Sequence, residues 1–462
     1  MPEARPDARD AQKQLTAFDI GCIVISGILG VGIFFTPHKV ALAVDSPGHA
    51  LVAWGIGGAI ALCGAFVFAA LALRVPGHGG TFTFVHAAFG RLPAFLYGWA
   101  NWLVIQSGAL VVIGAVMVDY AGVLFFGKVP ESGSLRGIVT ILAILAFTAT
   151  NVAGLRLGSG VQNALTVLKT AAVFALVLLG FVVTSGLVAG TTDGAPSPTA
   201  GEPVAPRGLL TGLVAAMLPV LFSYGGWQQG SFVAGVARSA RSVSLGIVGG
   251  VIVVVIAYVS VNIAFFALLG FDGARASNTI GASAAREALA PFGLGTVAER
   301  VFAGMVVASS LGIMNTICLA PPFVLHAMAK EGLFFRSVGE LHATRRVPVR
   351  GVLVQGLWAV VLCAVTQFGF ALDLGFLLDG VVFVDWIFYA MCGAALVRLG
   401  ARGRAAAAGW SFAAVSTAIA IGAIVVNPGA SLTGLAVLLI GVVAFDALRH
   451  PPPTDSSSPI DR

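Results

Sequence analysis

The chain has 462 residues, of which 58% are hydrophobic and only 10% are charged, and its net charge is +6 at pH 7. Soluble globular domains carry about 25% charged residues, so this composition excludes an ordinary soluble protein. Apolar segments of roughly 20 residues recur along the chain, and each is long enough to cross a bilayer as a helix. The composition therefore predicts an all-α polytopic membrane protein rather than a barrel, whose segments of about 10 residues would alternate in polarity.

Twelve apolar segments are predicted to span the membrane as helices. Their approximate bounds are 16–44, 49–74, 92–126, 136–154, 158–186, 209–237, 243–270, 297–328, 347–367, 371–398, 406–426 and 430–448. Polar tails occupy 1–15 and 450–462, and the second has the proline- and serine-rich composition of a disordered segment.

The segment 187–208 is rich in glycine, proline and threonine and separates the fifth span from the sixth. It is predicted to be a flexible external linker, and it falls where an inverted repeat of five plus five helices would have its join. The predicted organisation is therefore a first five-helix repeat at 16–186, a second at 209–398, and helices 11 and 12 at 399–449.

Lysine and arginine residues predict the orientation, because short cytoplasmic loops carry an excess of them. If the N terminus is cytoplasmic, 18 of the 26 lie in cytoplasmic segments and 7 in external ones, with Lys169 inside a span. This bias predicts an even number of spans in the plasma or inner membrane, with both tails in the cytoplasm.

Three glycines interrupt the first span within six residues, at Gly27, Gly30 and Gly32. Each disfavours a helix by about 1 kcal/mol relative to alanine, so the helix is predicted to break there. A second stretch of this kind, Phe222–Trp227, lies in the sixth span. Two glycine-interrupted spans in corresponding positions of two halves indicate the binding site of a transporter.

A break in the middle of the membrane leaves peptide groups without helical partners, and lipid cannot satisfy them. The freed N–H groups at the start of a half-helix suit a carboxylate, and the freed carbonyl groups suit an ammonium. Together they predict a pocket for the zwitterionic head of an α-amino acid. The alternative is close packing of helices through small residues, which is common in membranes.

Lys169 is the only lysine or arginine deep inside an apolar run. An ionisable residue within a span is a candidate functional residue, because burying its charge is costly. It could carry a coupling proton, or its fixed charge could replace a bound sodium ion. The alternative is that its side chain extends to the cytoplasmic interface.

Other kinds of site find little support in the sequence. Charged residues are too sparse for a catalytic cluster, so an enzyme is not expected. The five cysteines lie in apolar runs without a C-x-x-C pair, and neither a metal nor a cofactor is predicted. Basic residues are scattered among short loops, which argues against nucleic-acid binding. Asp379 and Asp385, six residues apart, would not share one helix face, so a paired-carboxylate site is not predicted.

Several blocks of sequence resemble the amino acid–polyamine–organocation (APC) superfamily, and in particular bacterial permeases related to the L-type amino acid transporters. The blocks follow the family's order and are Ile25–Pro37, Pro76–Gly90, Asn151–Lys169, Phe222–Gly235, Ala327–Gly332 and Val382–Tyr389. Three positions depart from the family pattern: Phe323 stands where arginine is common, and Val236 and Ala240 stand where glutamate and proline are common.

The resemblance implies a LeuT-type fold, with discontinuous helices 1 and 6 and alternating access around a central site. It implies that a substrate carboxylate meets the N–H groups of Gly30, Val31 and Gly32, and that the ammonium meets carbonyls near Ile28 and Phe222. The residues implied to bind substrate are Ile28, Gly30, Val31, Gly32, Phe222, Ser223, Tyr224, Gly225 and Trp227.

These observations predict a secondary transporter whose partners are an amino acid, protons and the lipid bilayer. Small side-chain pockets at Gly225 and Gly226 favour a neutral substrate. Lys169 falls where related proton-coupled members carry a lysine in place of a sodium site, so either proton symport or exchange is expected. A polyamine or a cationic amino acid would need an acidic pocket residue that the sequence does not locate. A non-transporting receptor on the same fold is the other alternative, and the oligomeric state stays open.

Overall fold

The structure is a computed structural model, and it describes residues 15–75, 80–154, 159–184, 208–232, 234, 237–319, 321–342, 347–369 and 374–449. The regular elements of these ranges are helices. In chain order they are α1 (Ala17–Ile28), α2 (Thr36–Ala43), α3 (Pro47–Arg74), α4 (Gly80–Phe89), α5 (Arg91–Ala100), α6 (Ser107–Phe126), α7 (Gly133–Val152), α8 (Ser159–Thr184), α9 (Leu209–Tyr224), α10 (Gln229–Phe232), α11 (Ala240–Ala276), α12 (Ile280–Leu289), α13 (Gly295–Leu319), α14 (Pro322–Lys330), α15 (Val349–Ala364), α16 (Leu374–Arg398), α17 (Arg404–Val426) and α18 (Pro428–Leu448).

The helices have the lengths and hydrophobicity that a bilayer requires. Ten helical segments within the described ranges are long and apolar enough to cross a membrane, and Ala17–Ile28 and Val173–Val182 are shorter apolar helices. Two segments, Arg91–Phe126 and Gly295–Lys330, have 36 residues each, more than a straight crossing needs. The prediction of an all-helical polytopic membrane protein is confirmed. The predicted tails and the linker 187–208, apart from Leu15 and Gly208, lie outside the described residues.

Side-chain caps determine where several helices begin. Before α1, the Thr16 hydroxyl accepts a hydrogen bond from the Asp19 N–H at 3.3 Å, and the Asp19 carboxylate accepts one from the Thr16 N–H at 2.8 Å. This reciprocal capping box satisfies two of the N–H groups that a helix start leaves without partners. Ser46 caps α3 by accepting from the His49 N–H at 3.2 Å, and Pro47 occupies the first turn.

Both segments with clustered glycines are interrupted. The first helix, α1, ends at Ile28, and α2 begins at Thr36, with a short 3₁₀ turn at Gly32–Phe34 between them. The helix α9 ends at Tyr224, and the turn 225–228 separates it from α10. Both helices are therefore interrupted at glycine-rich stretches, where the intrinsic helix propensity is low.

The two interruptions contact each other through residues with small side chains. A Cβ atom added to Gly226 would lie 2.6 Å from the carbonyl oxygen of Gly27, and one added to Gly32 would lie 2.8 Å from the Ser223 hydroxyl. The Thr36 hydroxyl is 2.6 Å from that of Ser223 and donates to the carbonyl oxygen of Gly32 at 2.9 Å. Glycine at these positions allows the backbones to approach to within van der Waals contact.

A partly buried ion pair joins α6 to α7. The Arg136 guanidinium contacts one Asp119 carboxylate oxygen from two nitrogens, at 2.7 and 2.8 Å, and the two side chains are 24% and 12% exposed. Breaking such a pair leaves an uncompensated charge with little access to water. We expect Asp119→Ala to lower the free energy of unfolding by about 2 kcal/mol, measured as a lower Tm of the purified protein.

The matched control for this prediction is Glu131→Ala. Glu131 pairs with Lys128 at 3.5 Å, but the two side chains are 88% and 72% exposed, so the loss should be below about 0.5 kcal/mol. Equal stability losses in the two variants would contradict the assignment of a structural role to the Asp119–Arg136 pair.

Candidate functional site

A cavity of about 250 Å³ lies where the two interruptions meet. Its walls come from both broken segments and from α6, α13 and α16, and most of them are apolar. Its polar lining residues are Ser26, Gln106, Ser223, Gln228, Gln229, Ser309, Thr316, Asp385 and Tyr389. Drug-sized ligands occupy pockets of roughly 300–1,000 Å³, so this volume suits a smaller molecule.

Most of the residues that the sequence predicted to bind substrate line this cavity. They are Ile28, Gly30, Val31, Gly32, Phe222, Ser223 and Gly225. Tyr224 and Trp227 are not among the lining residues. Lys169 belongs to α8, but its side chain lies outside the described part of the chain.

The first interruption exposes backbone donors to the cavity. Within the described chain, the N–H groups of Val31 and Gly32 donate to no acceptor, whereas the Gly30 N–H donates to the Ile28 carbonyl at 2.6 Å. Two of the three amides predicted to meet a carboxylate are therefore available for one. Unpaired N–H groups in a largely apolar cavity favour an anionic oxygen, because their desolvation is otherwise uncompensated.

The two carbonyls predicted to meet an ammonium already accept hydrogen bonds. The Ile28 oxygen accepts from the Gly30 N–H and from the Tyr258 hydroxyl, the latter at 2.8 Å, and the Phe222 oxygen accepts from the Gly225 N–H at 3.2 Å. A carbonyl oxygen has two lone pairs, so Phe222 keeps one acceptor position and Ile28 keeps none.

Tyr258, on α11, contacts both interrupted helices through its hydroxyl. The sequence analysis did not identify it as a residue of the site. It is fully buried, and its hydroxyl lies 2.8 Å from the Ile28 oxygen and 3.3 Å from the Ser223 oxygen, so it serves the ends of both α1 and α9. A tyrosine within an apolar span indicates a buried hydroxyl that needs a partner. Which carbonyl it reaches depends on packing between segments 230 residues apart.

Tyr224 and Trp227 support the cavity from behind its walls. The Tyr224 hydroxyl donates to the Trp54 carbonyl at 3.2 Å. The buried Trp227 ring packs against Trp386 and Tyr389 of α16, with centroid distances of 6.2 and 5.3 Å. Because Trp386 and Tyr389 themselves line the cavity, Trp227 helps to hold one wall in place.

Several polar lining residues also escaped the sequence analysis. The Gln228 side-chain oxygen accepts from the Gly226 N–H at 3.0 Å, which stabilises the turn after α9. The Ser309 hydroxyl is buried without a hydrogen-bond partner in the described part of the chain. Asp385, which the sequence analysis considered only as half of a carboxylate pair, is the one described lining residue with a carboxyl group. Its position inside a predicted span was the signal that could have identified it.

No group of three or more His, Cys, Asp or Glu residues that could hold a metal ion occurs in the described ranges.

Comparison with known proteins identifies the family. A family model described as amino acid permease matches residues 15–445.

The chain belongs to the amino acid permease family. The resemblance that the sequence blocks indicated is confirmed, and members of this family are transporters rather than enzymes. Ten helical segments of the described ranges are long and apolar enough to cross a membrane, and together with this membership they support a multi-pass membrane protein.

Curated relatives match most of the permease at low identity. It is 25% identical over 384 residues to b(0,+)-type amino acid transporter 1 of Mus musculus, covering 82% of the permease and 74% of that protein. It is 26% identical over 378 residues to the cystine/glutamate transporter of Homo sapiens, covering 82% and 72%. It is also 26% identical over 372 residues to the serine/threonine exchanger SteT of Bacillus subtilis (strain 168), covering 80% and 79%. Amino acid transport is thus common to relatives that match over three quarters of the permease.

Proposed function

We propose that the permease is a secondary active transporter that moves amino acids across the plasma or inner membrane by alternating access. The observation that carries the proposal is the cavity between two interrupted helices, with unpaired N–H groups at Val31 and Gly32. Those amides bind the substrate carboxylate, and the remaining lone pair of the Phe222 carbonyl accepts from its ammonium group. The relatives named as amino acid transporters and exchangers support this function.

The proposed architecture is a LeuT-type inverted repeat with twelve spans and both tails in the cytoplasm. The first repeat is 16–186, the second is 209–398, and helices 11 and 12 occupy 399–449. Ten long segments and two shorter apolar helices support the twelve-span count, and the positions of the interruptions support the repeat. In this arrangement the permease alternates by moving the two halves around the cavity.

The proposed mechanism is proton symport or exchange, and the sequence favours a neutral substrate. Gly225, which lines the cavity, and Gly226 leave little side-chain bulk at the second interruption. A relative named as a serine/threonine exchanger supports exchange of small neutral amino acids as one mode of operation.

Uptake into liposomes that contain the purified permease tests the function. Accumulation of labelled amino acid driven by an imposed pH gradient indicates symport, and uptake that requires internal amino acid indicates exchange. A thermal-shift screen of the amino acids identifies the substrate, because a ligand that binds the folded state raises its Tm. Binding without any flux would contradict transport and favour a receptor.

Lys169 is the proposed coupling residue. If proton-driven uptake is observed, we expect Lys169→Ala to abolish its dependence on the pH gradient, because a lysine that the sequence places inside an apolar span can release its proton as access alternates. The control is Lys128→Ala, since Lys128 lies in an external loop and is 72% exposed. Proton-driven uptake that survives in Lys169→Ala would remove this residue from the coupling mechanism.

A further inference from the structure

Asp385 brings a carboxylate into a cavity that otherwise contains no formal charge among its described lining residues. It is the twelfth of the 25 residues of α16, close to the midpoint of a segment that spans the membrane. An ionised carboxylate at such a depth is expensive, and residues of this kind face cavities and pair with other groups.

No basic side chain that the structure describes balances a charge on Asp385. Asp385 forms no ion pair with any lysine, arginine or histidine whose side chain the structure describes, whereas Asp119, near the end of another span, is paired with Arg136. The other polar groups on the cavity wall are hydroxyls and amides of serine, threonine, glutamine and tyrosine. Since the described lining residues include no lysine or arginine, a cationic group of the ligand is the one that we expect to compensate Asp385.

Asp379, on the same helix, has a different environment. It lies six residues earlier, accepts a hydrogen bond from the Asn427 side chain at 3.0 Å, and lines a second cavity that also contains Lys39. Six residues correspond to about 600° of helix rotation, so the two carboxylates point about 120° apart. The acid outside the central cavity therefore has a partner within the protein, in the residue that precedes α18.

We propose that Asp385 determines substrate specificity, by binding the positively charged side chain of a cationic amino acid whose head group is held at the two interruptions. This inference rests on the proposed transport function, and it names a cationic substrate in place of the neutral one that the sequence favours. The amides of Val31 and Gly32 need an anionic group, so the ligand is a zwitterion with an additional positive charge. A simple polyamine has no carboxylate for these amides and fits the cavity less well.

Arginine and citrulline provide a direct test, because they have nearly the same shape and differ in the charge at the end of the side chain. With the unmodified permease, arginine should raise the Tm more than citrulline does and should be transported with a higher kcat/KM. Asp385→Asn keeps the size of the side chain and removes its charge. We expect it to lower the arginine-to-citrulline ratio of kcat/KM by about 10- to 100-fold.

Two further variants make the test specific. Asp385→Glu keeps the charge and should retain a preference for arginine. Asp379→Asn removes the neighbouring acid outside the central cavity and should leave the ratio unchanged. If Asp385→Asn does not fold, the increases in Tm that arginine and citrulline cause in the unmodified permease still test whether it prefers a charged side chain.

The outcomes separate this inference from the transport function. Equal stabilisation and equal transport of arginine and citrulline, or a preference for citrulline, would overturn the role of Asp385 and leave amino acid transport intact. An unchanged ratio in Asp385→Asn, with only the pH dependence of uptake lost, would assign the carboxylate to proton transfer and equally overturn the inference. If no amino acid is bound or transported, both proposals fail.

Discussion

Replacing Gly226 by alanine is expected to abolish transport and to lower the free energy of unfolding by about 2–4 kcal/mol. Gly226 has a φ angle of +126°, a conformation that residues with a Cβ atom rarely adopt. The added Cβ would lie 2.6 Å from the oxygen and 2.7 Å from the carbonyl carbon of Gly27. Both are backbone atoms, so the contact cannot be relieved by rotating a side chain, and the two interrupted helices must separate.

The matched control for Gly226→Ala is Gly249→Ala, within α11. A Cβ atom at Gly249 meets nothing within 4 Å, and alanine favours the helix by about 1 kcal/mol. Liposome uptake and the Tm in detergent measure both effects. Uptake at the unmodified rate in Gly226→Ala would show that close contact between the interruptions is not required for transport.

The second large effect is expected from Tyr258→Phe, which removes one oxygen atom. The hydroxyl is the hydrogen-bond donor that α11 provides to the Ile28 and Ser223 carbonyls at the ends of two broken helices. Its loss should reduce the free energy of unfolding by about 2 kcal/mol, because it leaves buried acceptors with fewer partners. Ile28 and Ser223 line the cavity, so kcat/KM should also fall at least about tenfold, which corresponds to about 1.4 kcal/mol.

Tyr120→Phe separates loss of stability from loss of function. Tyr120 is also fully buried, and its hydroxyl donates to the Phe34 carbonyl at 2.6 Å, but it does not line the cavity. A similar decrease in Tm with little change in kcat/KM is expected there. If both variants transport equally well, Tyr258 has only a structural role.

The assignment as a helical membrane protein and the positions of the two helix interruptions were predictable, because both depend on local properties of the sequence. Span length follows from the run of apolar residues and the rise of a helix. The interruptions follow from the low helix preference of glycine, as at Gly27–Gly32 and at Gly225 and Gly226. The family blocks around them were equally visible and indicated amino acid transport.

Which polar groups reach the cavity was decided by tertiary structure. The sequence placed Asp379 and Asp385 in one span, but the rotation of α16 against its neighbours directs Asp385 to the central cavity and Asp379 to Asn427. The same holds for the peptide groups: the Ile28 carbonyl was predicted to meet the substrate ammonium, yet it accepts a hydrogen bond from Tyr258, 230 residues away. Local backbone preferences determine where a helix ends, whereas hydrogen-bond satisfaction depends on contacts between distant segments.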